Sequence, residues 1–158
     1  MGQAPEDFMR HAINLAIENV RTGSGGPFAA VVVRDGEVIA TGVNQVTATN
    51  DPTAHAEVVA IRAACRTLNS FQLRGCELYT SCEPCPMCLG AIYWARPLRF
   101  FYACSRKDAA VIFFDDQFIY DELAIPPEGR SIPGLRILGE EGLAAFAAWT
   151  ASTRRVLY

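Results

Sequence analysis

The sequence predicts one α/β sandwich with a mixed sheet, and three observations support this fold class. Segments rich in β-branched residues alternate with amphipathic helical segments along the chain. The pair Asp35-Gly36 joins two neighbouring β-rich segments, which predicts a hairpin near the start of the sheet. The chain has 158 residues and 51% apolar side chains, enough for one core. We therefore expect residues 1–158 to form a single domain.

The order of the elements follows from periodicity and from the residues that start and stop each segment. Gly23 and Gly25-Gly26-Pro27 end the first helix, because both residue types interrupt helices. Asp51 is a favourable N-cap and Pro52 a favourable first residue, so the next helix is expected to open there. The predicted elements are a helix over 6–21, strands over 28–33 and 38–43, a helix over 54–66, a strand over 77–81, a helix over 85–95, strands over 99–103 and 134–138, and a helix over 140–155.

Charge and cysteine usage narrow the classes of function. The net charge is −3, so a basic stripe for a phosphate backbone is not expected and we predict no nucleic-acid partner. The apolar runs are strand-sized, far shorter than the roughly 20 residues of a membrane span, so we predict no membrane partner either. Cys82, Cys85 and Cys88 fall within seven residues, which indicates metal binding in a reducing compartment. We therefore predict a cytoplasmic protein.

Two short motifs carry chemistry: His55-Ala56-Glu57 and Pro84-Cys85-Pro86-Met87-Cys88. Cys85 and Cys88 are three residues apart in the first turn of a predicted helix, so both sulfur atoms can face one ion as thiolates. His55 adds an imidazole ligand from another helix. Three protein ligands leave a fourth position of zinc open for water, whose pKa zinc lowers to about 7. The motifs predict one zinc ion per subunit.

Glu57 favours a catalytic over a structural zinc site. It lies two residues beyond His55, close to the predicted metal, and can take a proton from the activated water and return it to a ring nitrogen and a leaving amine. The combined H-x-E and P-C-x-x-C pattern is typical of zinc deaminases. The alternative is a closed structural site with Cys82 as fourth ligand. It would leave Glu57 without a role and would fold the chain back across the stiff Glu83-Pro84 pair.

With these motifs the sequence resembles the cytidine and deoxycytidylate deaminase superfamily, and within it the bacterial guanine deaminases. The likeness is carried by Gly25–Phe28, Asn44, Asn50–Glu57, Thr80–Arg96, Phe114–Asp116 and the terminal Tyr158. The resemblance implies a three-layer α/β/α cytidine-deaminase-like fold with a central five-stranded mixed sheet. It also implies a homodimer in which residues 140–158 cross to the partner and help to close its active site.

The resemblance further implies hydrolysis of a small-molecule purine base, guanine, to xanthine and ammonia. Water activated by zinc would attack C2 of the purine while Glu57 protonates the ring and then the departing amine. The other implied site residues are Asp116 for catalysis and Asn44, Phe28, Trp94, Tyr158 and Ala56 for substrate binding. Asn44 can offer a donor and an acceptor to the purine edge, and Asp116 can accept a hydrogen bond from the exocyclic amine. Phe28 and Trp94 can stack on the base.

Other interpretations stay open on the sequence alone. A tRNA adenosine deaminase shares both motifs but needs a basic surface for an anticodon loop. The chain turns acidic after Arg106 and Lys107, and the terminal helix offers only Arg154 and Arg155. Cytosine, cytidine or triazine amines would require only different pocket contacts, and a zinc-stapled interaction module is the non-enzymatic alternative. We expect His11 to be structural or exposed. The remaining cysteines are expected to be small core residues: Cys65, Cys76 and Cys104.

Overall fold

The computed structural model describes residues 4–158, which divide into two compact units that meet in sequence after Asp116. The first unit contains helix α1 (Pro5–Arg21), strands β1 (Ala29–Arg34) and β2 (Glu37–Val43), helices α2 (Val46–Thr49) and α3 (Ala56–Leu68), strand β3 (Cys76–Cys82), helix α4 (Pro86–Ala95), strand β4 (Arg99–Cys104) and helix α5 (Arg106–Val111). The second contains α6 (Gln117–Leu123), a 3-10 turn at Pro127–Gly129 and α7 (Gly139–Ala151). Within residues 4–158, no helix is long and apolar enough to cross a bilayer.

The sheet of the first unit is mixed, with the strand order β2-β1-β3-β4. Strand β1 pairs antiparallel with both β2 and β3, whereas β3 and β4 are parallel. Asp35 and Gly36 form the hairpin turn between β1 and β2 with φ angles of 52° and 80°. Such positive φ angles are what a tight hairpin turn requires, and they explain the Asp-Gly pair. The mixed sheet and its hairpin confirm the sequence prediction.

The prediction of five strands is wrong for the described residues, whose sheet has four. The missing strand is the one expected over residues 134–138, which adopt no strand conformation. Leu135, Ile137 and Leu138 are all exposed there. Alternating apolar residues form a strand only when a neighbouring strand supplies hydrogen bonds to their backbone, and these residues have no place in the ladder of the sheet. The α/β cytidine-deaminase-like class itself is confirmed.

Helices cover both faces of the sheet, which gives the predicted α/β/α layers within the first unit. On one face α1 packs on β1 and β3 through Phe8, Ala12, Val31, Val33 and Tyr79. On the other face α3 and α4 pack on the same strands through Ala30, Val32, Ala56, Ala60, Ala64, Leu78, Ile92 and Ala95. Successive residues of β1 therefore point to opposite faces and are buried on both, as expected for a central strand between two helical layers.

Helix α3 lies unusually close to the sheet at Gly42 of β2. A Cβ atom at this position would clash with the carbonyl oxygen of Ala56 and the backbone nitrogen of Ala60. Only glycine, which has no Cβ, permits this approach of helix and strand. The contact involves the first residues of α3, where the His55-Ala56-Glu57 motif lies.

Both chemical motifs begin at the N-terminus of a helix, although each helix starts slightly later than predicted. His55 is the N-cap of α3, and Asp51 instead accepts hydrogen bonds from the backbone N–H and hydroxyl of Thr53 at 2.8 and 2.7 Å. These local bonds make a turn rather than a helix start. Cys85 is the N-cap of α4, and Pro86 takes the first helical position.

Candidate active site

Three metal-binding side chains converge where α3 and α4 begin. Nδ1 of His55 lies 3.5 Å from Sγ of Cys85 and 3.5 Å from Sγ of Cys88. Nitrogen at about 2.0 Å and sulfur at about 2.3 Å from a tetrahedral zinc ion are about 3.5 Å apart. The three donors therefore fit one zinc ion. Cys88 is buried and the other two side chains are half-buried, which leaves a side of the group accessible.

The two thiols of this group ionise very differently. A hydrogen bond from Cys88 lowers the pKa of Cys85 to about 4, and His55 contributes a second hydrogen bond in the same direction. The contact with Cys85, followed by burial, raises the pKa of Cys88. The hydrogen bond with Cys85 also raises the pKa of His55. One sulfur is thus poised as a thiolate, and binding of a metal would release the proton of the other.

Glu57 lies beside the metal ligands in the first turn of α3. Its residue is 6% exposed, and Oε2 is 3.4 Å from Sγ of Cys88. Burial raises the pKa of this carboxyl group. A carboxyl group with a raised pKa can both accept and return a proton near neutral pH. The structure thus places a carboxyl group with a raised pKa next to the ligands, and its role in proton transfer stays a prediction.

Cys82 does not belong to this group. Its buried Sγ lies 3.8 Å from the backbone carbonyl oxygen of Ser105, and burial raises its pKa to about 12. Among the described residues, the donor atoms that lie close enough together to hold one metal ion are those of His55, Cys85 and Cys88, without Cys82. The closed structural site with a fourth cysteine is therefore not supported. Of the cysteines predicted for the core, Cys76 is buried and Cys65 half-buried, but Cys104 is exposed because it ends an edge strand.

Phe28 and Asn44 lie close to Gly26, and their role as the wall of a base pocket stays a prediction. Gly26 lies between them: a Cβ atom there would be 3.4 Å from the Phe28 ring and 3.6 Å from Cγ of Asn44. Oδ1 of the buried Asn44 accepts a hydrogen bond from the backbone N–H of Val46 at 3.3 Å. The Phe28 ring packs edge-on against Phe114, with ring centroids 4.9 Å apart. An aromatic ring and an amide group thus lie on either side of Gly26.

Asn19 of α1 anchors the segments that carry Phe28 and Asn44, and this role was not predicted from the sequence. Its Nδ2 donates hydrogen bonds to the carbonyl oxygens of Gly26 at 2.8 Å and of Asn44 at 3.0 Å. A usable signal was present, because Asn19 continues the buried stripe of Ala12 and Ala16. A polar side chain on such a stripe needs hydrogen-bonding partners, and here it finds them in the loops that carry the pocket.

The remaining predicted site residues differ in how deeply they are buried. Asp116 is half-buried, and this burial raises the pKa of its carboxyl group. Electrostatic repulsion from Cys85 raises that pKa further by a smaller amount. The carboxyl group of Asp116 therefore lies close enough to the metal ligands to be affected by their charge. The side chain of Ala56 belongs to the core, so only its backbone N–H, at the first position of α3, can face a ligand. Trp94 and Tyr158 are both exposed, and their contacts with a substrate stay predictions.

The zinc-binding region typical of cytidine and deoxycytidylate deaminases matches residues 3–104 of the chain. The chain belongs to this family. Together with the convergent donor group, the match confirms the predicted zinc cofactor of this deaminase. The deaminase is 58% identical over 144 residues to guanine deaminase of Bacillus subtilis, a match that covers 91% of this chain and 92% of that protein. The X-ray structure of guanine deaminase from Bacillus subtilis superposes with a TM-score of 0.97 at 54% identity and covers 99% of both chains.

More distant relatives of the deaminase share less of its length. A guanine deaminase structure from Nitrosomonas europaea has a TM-score of 0.69 at 37% identity and covers 72% of this chain and 65% of that one. A structure with bound 2,6-diaminopurine has a TM-score of 0.69 at 38% identity, over 72% and 63%. The tRNA-specific adenosine deaminase of Aquifex aeolicus is 45% identical over 87 residues, 54% of this chain and 58% of that protein. In each of these three cases, the matched part is less than two thirds of the relative.

Proposed function

We propose that this deaminase hydrolyses guanine to xanthine and ammonia. The observation that carries the proposal is the likeness to the guanine deaminase of Bacillus subtilis, which extends over both units of the chain. The likeness to a tRNA adenosine deaminase, by contrast, covers 54% of the chain. The net charge of −3 also disfavours an RNA substrate, because phosphate backbones are bound mainly by basic side chains.

In the proposed complex the purine lies against the ring of Phe28, and the side-chain amide of Asn44 donates to and accepts from its edge. The backbone N–H of Ala56 adds a donor at the start of α3. Trp94, together with Tyr158 of the partner subunit, completes the enclosure, as the family resemblance implies. The proposal is supported by the positions of both side chains beside Gly26, where a Cβ atom would lie 3.4 Å from the Phe28 ring and 3.6 Å from Cγ of Asn44.

The chain supplies proton transfer around the reacting carbon atom. His55, Cys85 and Cys88 would hold zinc, which supplies Lewis-acid activation of the attacking water. Glu57 takes a proton from that water and delivers it to a ring nitrogen next to C2. Glu57 then passes the second proton of the water to the leaving amine, so that ammonia departs and the oxygen of the water remains on C2. Asp116 accepts a hydrogen bond from the exocyclic amine and helps to move its proton.

The substitution Glu57→Gln tests the proton transfer. We expect kcat for guanine to fall by about 10² to 10⁴, because general acid–base catalysis contributes this much. Zinc content and melting temperature should stay close to those of the unmodified protein, since no ligand is removed. Glu37→Gln, in the exposed hairpin, is the matched control and should leave kcat unchanged. Normal turnover by Glu57→Gln would refute the proton shuttle, and a zinc-stapled interaction module would show no turnover in either protein.

A substrate panel tests the choice of base. Purified protein is incubated with guanine, adenine, cytosine, cytidine and guanosine, and ammonia release is followed. We expect guanine to react fastest and guanosine poorly, because a base-sized pocket has no room for the ribose. An anticodon stem-loop should not react. Conversion of that RNA at a rate matching free guanine would overturn the assignment in favour of a tRNA adenosine deaminase.

We further propose a homodimer with one zinc ion per subunit, in which residues 140–158 of each chain cross to the partner and help to close its site. The proposal is supported by three apolar side chains of α7: Leu143, Phe146 and Trp149 are 50%, 71% and 44% exposed. Large exposed apolar patches usually mark a binding surface. Sedimentation equilibrium should give the mass of a dimer, and a monomer at micromolar concentration would contradict the proposal.

We also propose a cytoplasmic location. The observation behind it is that all six cysteines are free thiols, two of them predicted metal ligands, which a reducing compartment preserves. Fractionation of the producing cells, followed by detection of the protein, checks this assignment. Recovery from an oxidising compartment would contradict it.

A further inference from the structure

Thr80 lies next to the proposed proton shuttle but was not among the predicted catalytic, metal-binding or substrate-binding residues. It sits near the carboxyl end of β3 and is 1% exposed. Its Oγ1 is 3.4 Å from Oε1 of Glu57 and 3.0 Å from the carbonyl oxygen of Cys82. The hydroxyl therefore links the end of the central strand to the carboxyl group at the start of α3.

The two oxygens of the Glu57 carboxyl group have different neighbours. Oε2 faces Sγ of Cys88 at 3.4 Å, and Oε1 faces the hydroxyl of Thr80. A cysteine that binds zinc does so as a thiolate and has no proton to donate. Once Cys88 serves as a ligand, its contact with Oε2 no longer stabilises the carboxylate. The Thr80 hydroxyl keeps its proton and can still donate to Oε1.

We propose that Thr80 is a positioning residue: its hydroxyl holds Oε1 of Glu57, so that Oε2 is directed at the space in front of the three metal ligands. This inference rests on the proposed function, since it gives Glu57 the role of the shuttle. An ionised carboxylate is a stronger acceptor than a backbone carbonyl, so it competes well with Cys82 for the hydroxyl proton. A hydroxyl also accepts hydrogen bonds, so the same contact suits the carboxylic acid that exists midway through the reaction.

The test is the substitution Thr80→Val, which keeps the branched shape and removes the hydroxyl. We expect kcat to fall by about tenfold or more, because a displaced catalytic group loses its alignment. KM should stay within a factor of two, since the hydroxyl bonds to Glu57 and Cys82 and to none of the residues proposed to bind the base. Thr80→Ser keeps the hydroxyl and should recover most of kcat. Tyr79→Phe is the matched control: it removes the neighbouring hydroxyl of β3, which bonds to Glu77 on the other face, and should leave kcat unchanged.

Zinc content and ligand binding are measured on the same proteins. We expect one zinc ion per chain in Thr80→Val and unaltered affinity for 8-azaguanine by calorimetry. Loss of zinc from Thr80→Val would show that Thr80 maintains the metal ligands and not the position of Glu57, and would overturn the inference. Wild-type kcat in Thr80→Val, or a Thr80→Ser variant as slow as Thr80→Val, would overturn it as well.

A measurement that needs no substrate separates this inference from the proposed function. In a double-mutant cycle, Thr80→Val should lower the melting temperature by about 2 °C more in the wild-type background than in the Glu57→Ala background. The difference isolates the Thr80–Glu57 contact from the bond to Cys82. If guanine is not a substrate, the proposed function fails, but the double-mutant cycle still shows whether Thr80 and Glu57 stabilise the protein through their contact. Equal shifts in both backgrounds would refute the contact even in an active guanine deaminase.

Discussion

The two units of the chain differ in how they treat apolar side chains. In the first unit both faces of the sheet are covered, and residues such as Val31, Ala60 and Leu78 are completely buried. In the second unit, residues 117–158, no residue is buried. The contrast is clearest between two helices: α1 buries four residues, whereas α7 buries none. The first unit has a core of its own, whereas the apolar side chains of the second can be buried only by contact with something outside that unit.

This difference suits different roles for the two units: the first carries the candidate active site, and the second is expected to take part in association. All three metal ligands, Glu57 and the Phe28–Asn44 wall belong to the unit with the core, which holds them on helix starts and strand ends. Short helices without a buried face are only marginally stable by themselves. The second unit is therefore expected to gain its stability from association, which agrees with the proposed dimer. Three substitutions, taken from the largest expected effect to the smallest, test this division.

The largest effect is expected from Leu78→Ala in the core of the first unit. Removing this fully buried side chain should lower the free energy of unfolding by about 2 to 5 kcal/mol, through lost burial and the cavity left behind. Urea unfolding measures the change. The control is Leu143→Ala in α7, which should change the stability of the dilute monomer by less than about 0.5 kcal/mol. Equal losses from both substitutions would erase the distinction between the units.

A smaller effect, of a different kind, is expected from Phe146→Ser in α7. If this exposed ring is covered by a second copy, its removal should weaken the dimer by about 2 kcal/mol, or roughly thirtyfold in the dissociation constant. Sedimentation at several concentrations measures the constant. The zinc content should not change, because the ligands belong to the other unit. An unchanged dissociation constant would show that this face of α7 serves another purpose.

The smallest of the three effects is expected from Asn19→Leu, which acts within the first unit. It removes both hydrogen bonds to Gly26 and Asn44 and should raise KM for guanine about tenfold, since the pocket wall loses its anchor. Turnover should change little, because Glu57 is held from elsewhere. Thr22→Val, at the C-cap of the same helix, removes a hydroxyl that donates to the carbonyl oxygen of Glu18 and is the control. A lower melting temperature with unchanged KM would make Asn19 purely structural.

Features encoded by neighbouring residues were predictable from the sequence. The Asp35-Gly36 turn, the buried β1 and the helix starts at the two motifs all depend on local conformation or simple periodicity. The metal ligands were predictable because Cys85 and Cys88 lie one helical turn apart. His55 is distant in sequence and was recognised only through the combined motif. Its position 3.5 Å from both sulfur atoms is a result of the fold.

Features that depend on a distant partner were not predictable. Thr80 and Asn19 are ordinary polar residues in sequence, and their roles arise from Glu57 and Asn44 across the fold. The expected strand over 134–138 failed for the opposite reason, because its pattern was present but no neighbouring strand was. Short helices such as α2 and α5 were also missed, since helices of that length are stabilised by tertiary contacts and not by their own sequence.

The bare backbone at Gly42 limits where this enzyme can change. A side chain there would push the start of α3, with His55, away from the thiols on α4, and zinc tolerates errors of only about 0.2 Å in its bonds. The proposed substrate wall at Phe28 and Asn44 lies outside that contact. New specificities can therefore evolve, or be engineered, by exchanging the residues that touch the base. The contact of Gly42 with α3 does not tolerate such exchanges, because a methyl group added at Gly42 would lower the affinity for the metal before it changed the choice of substrate.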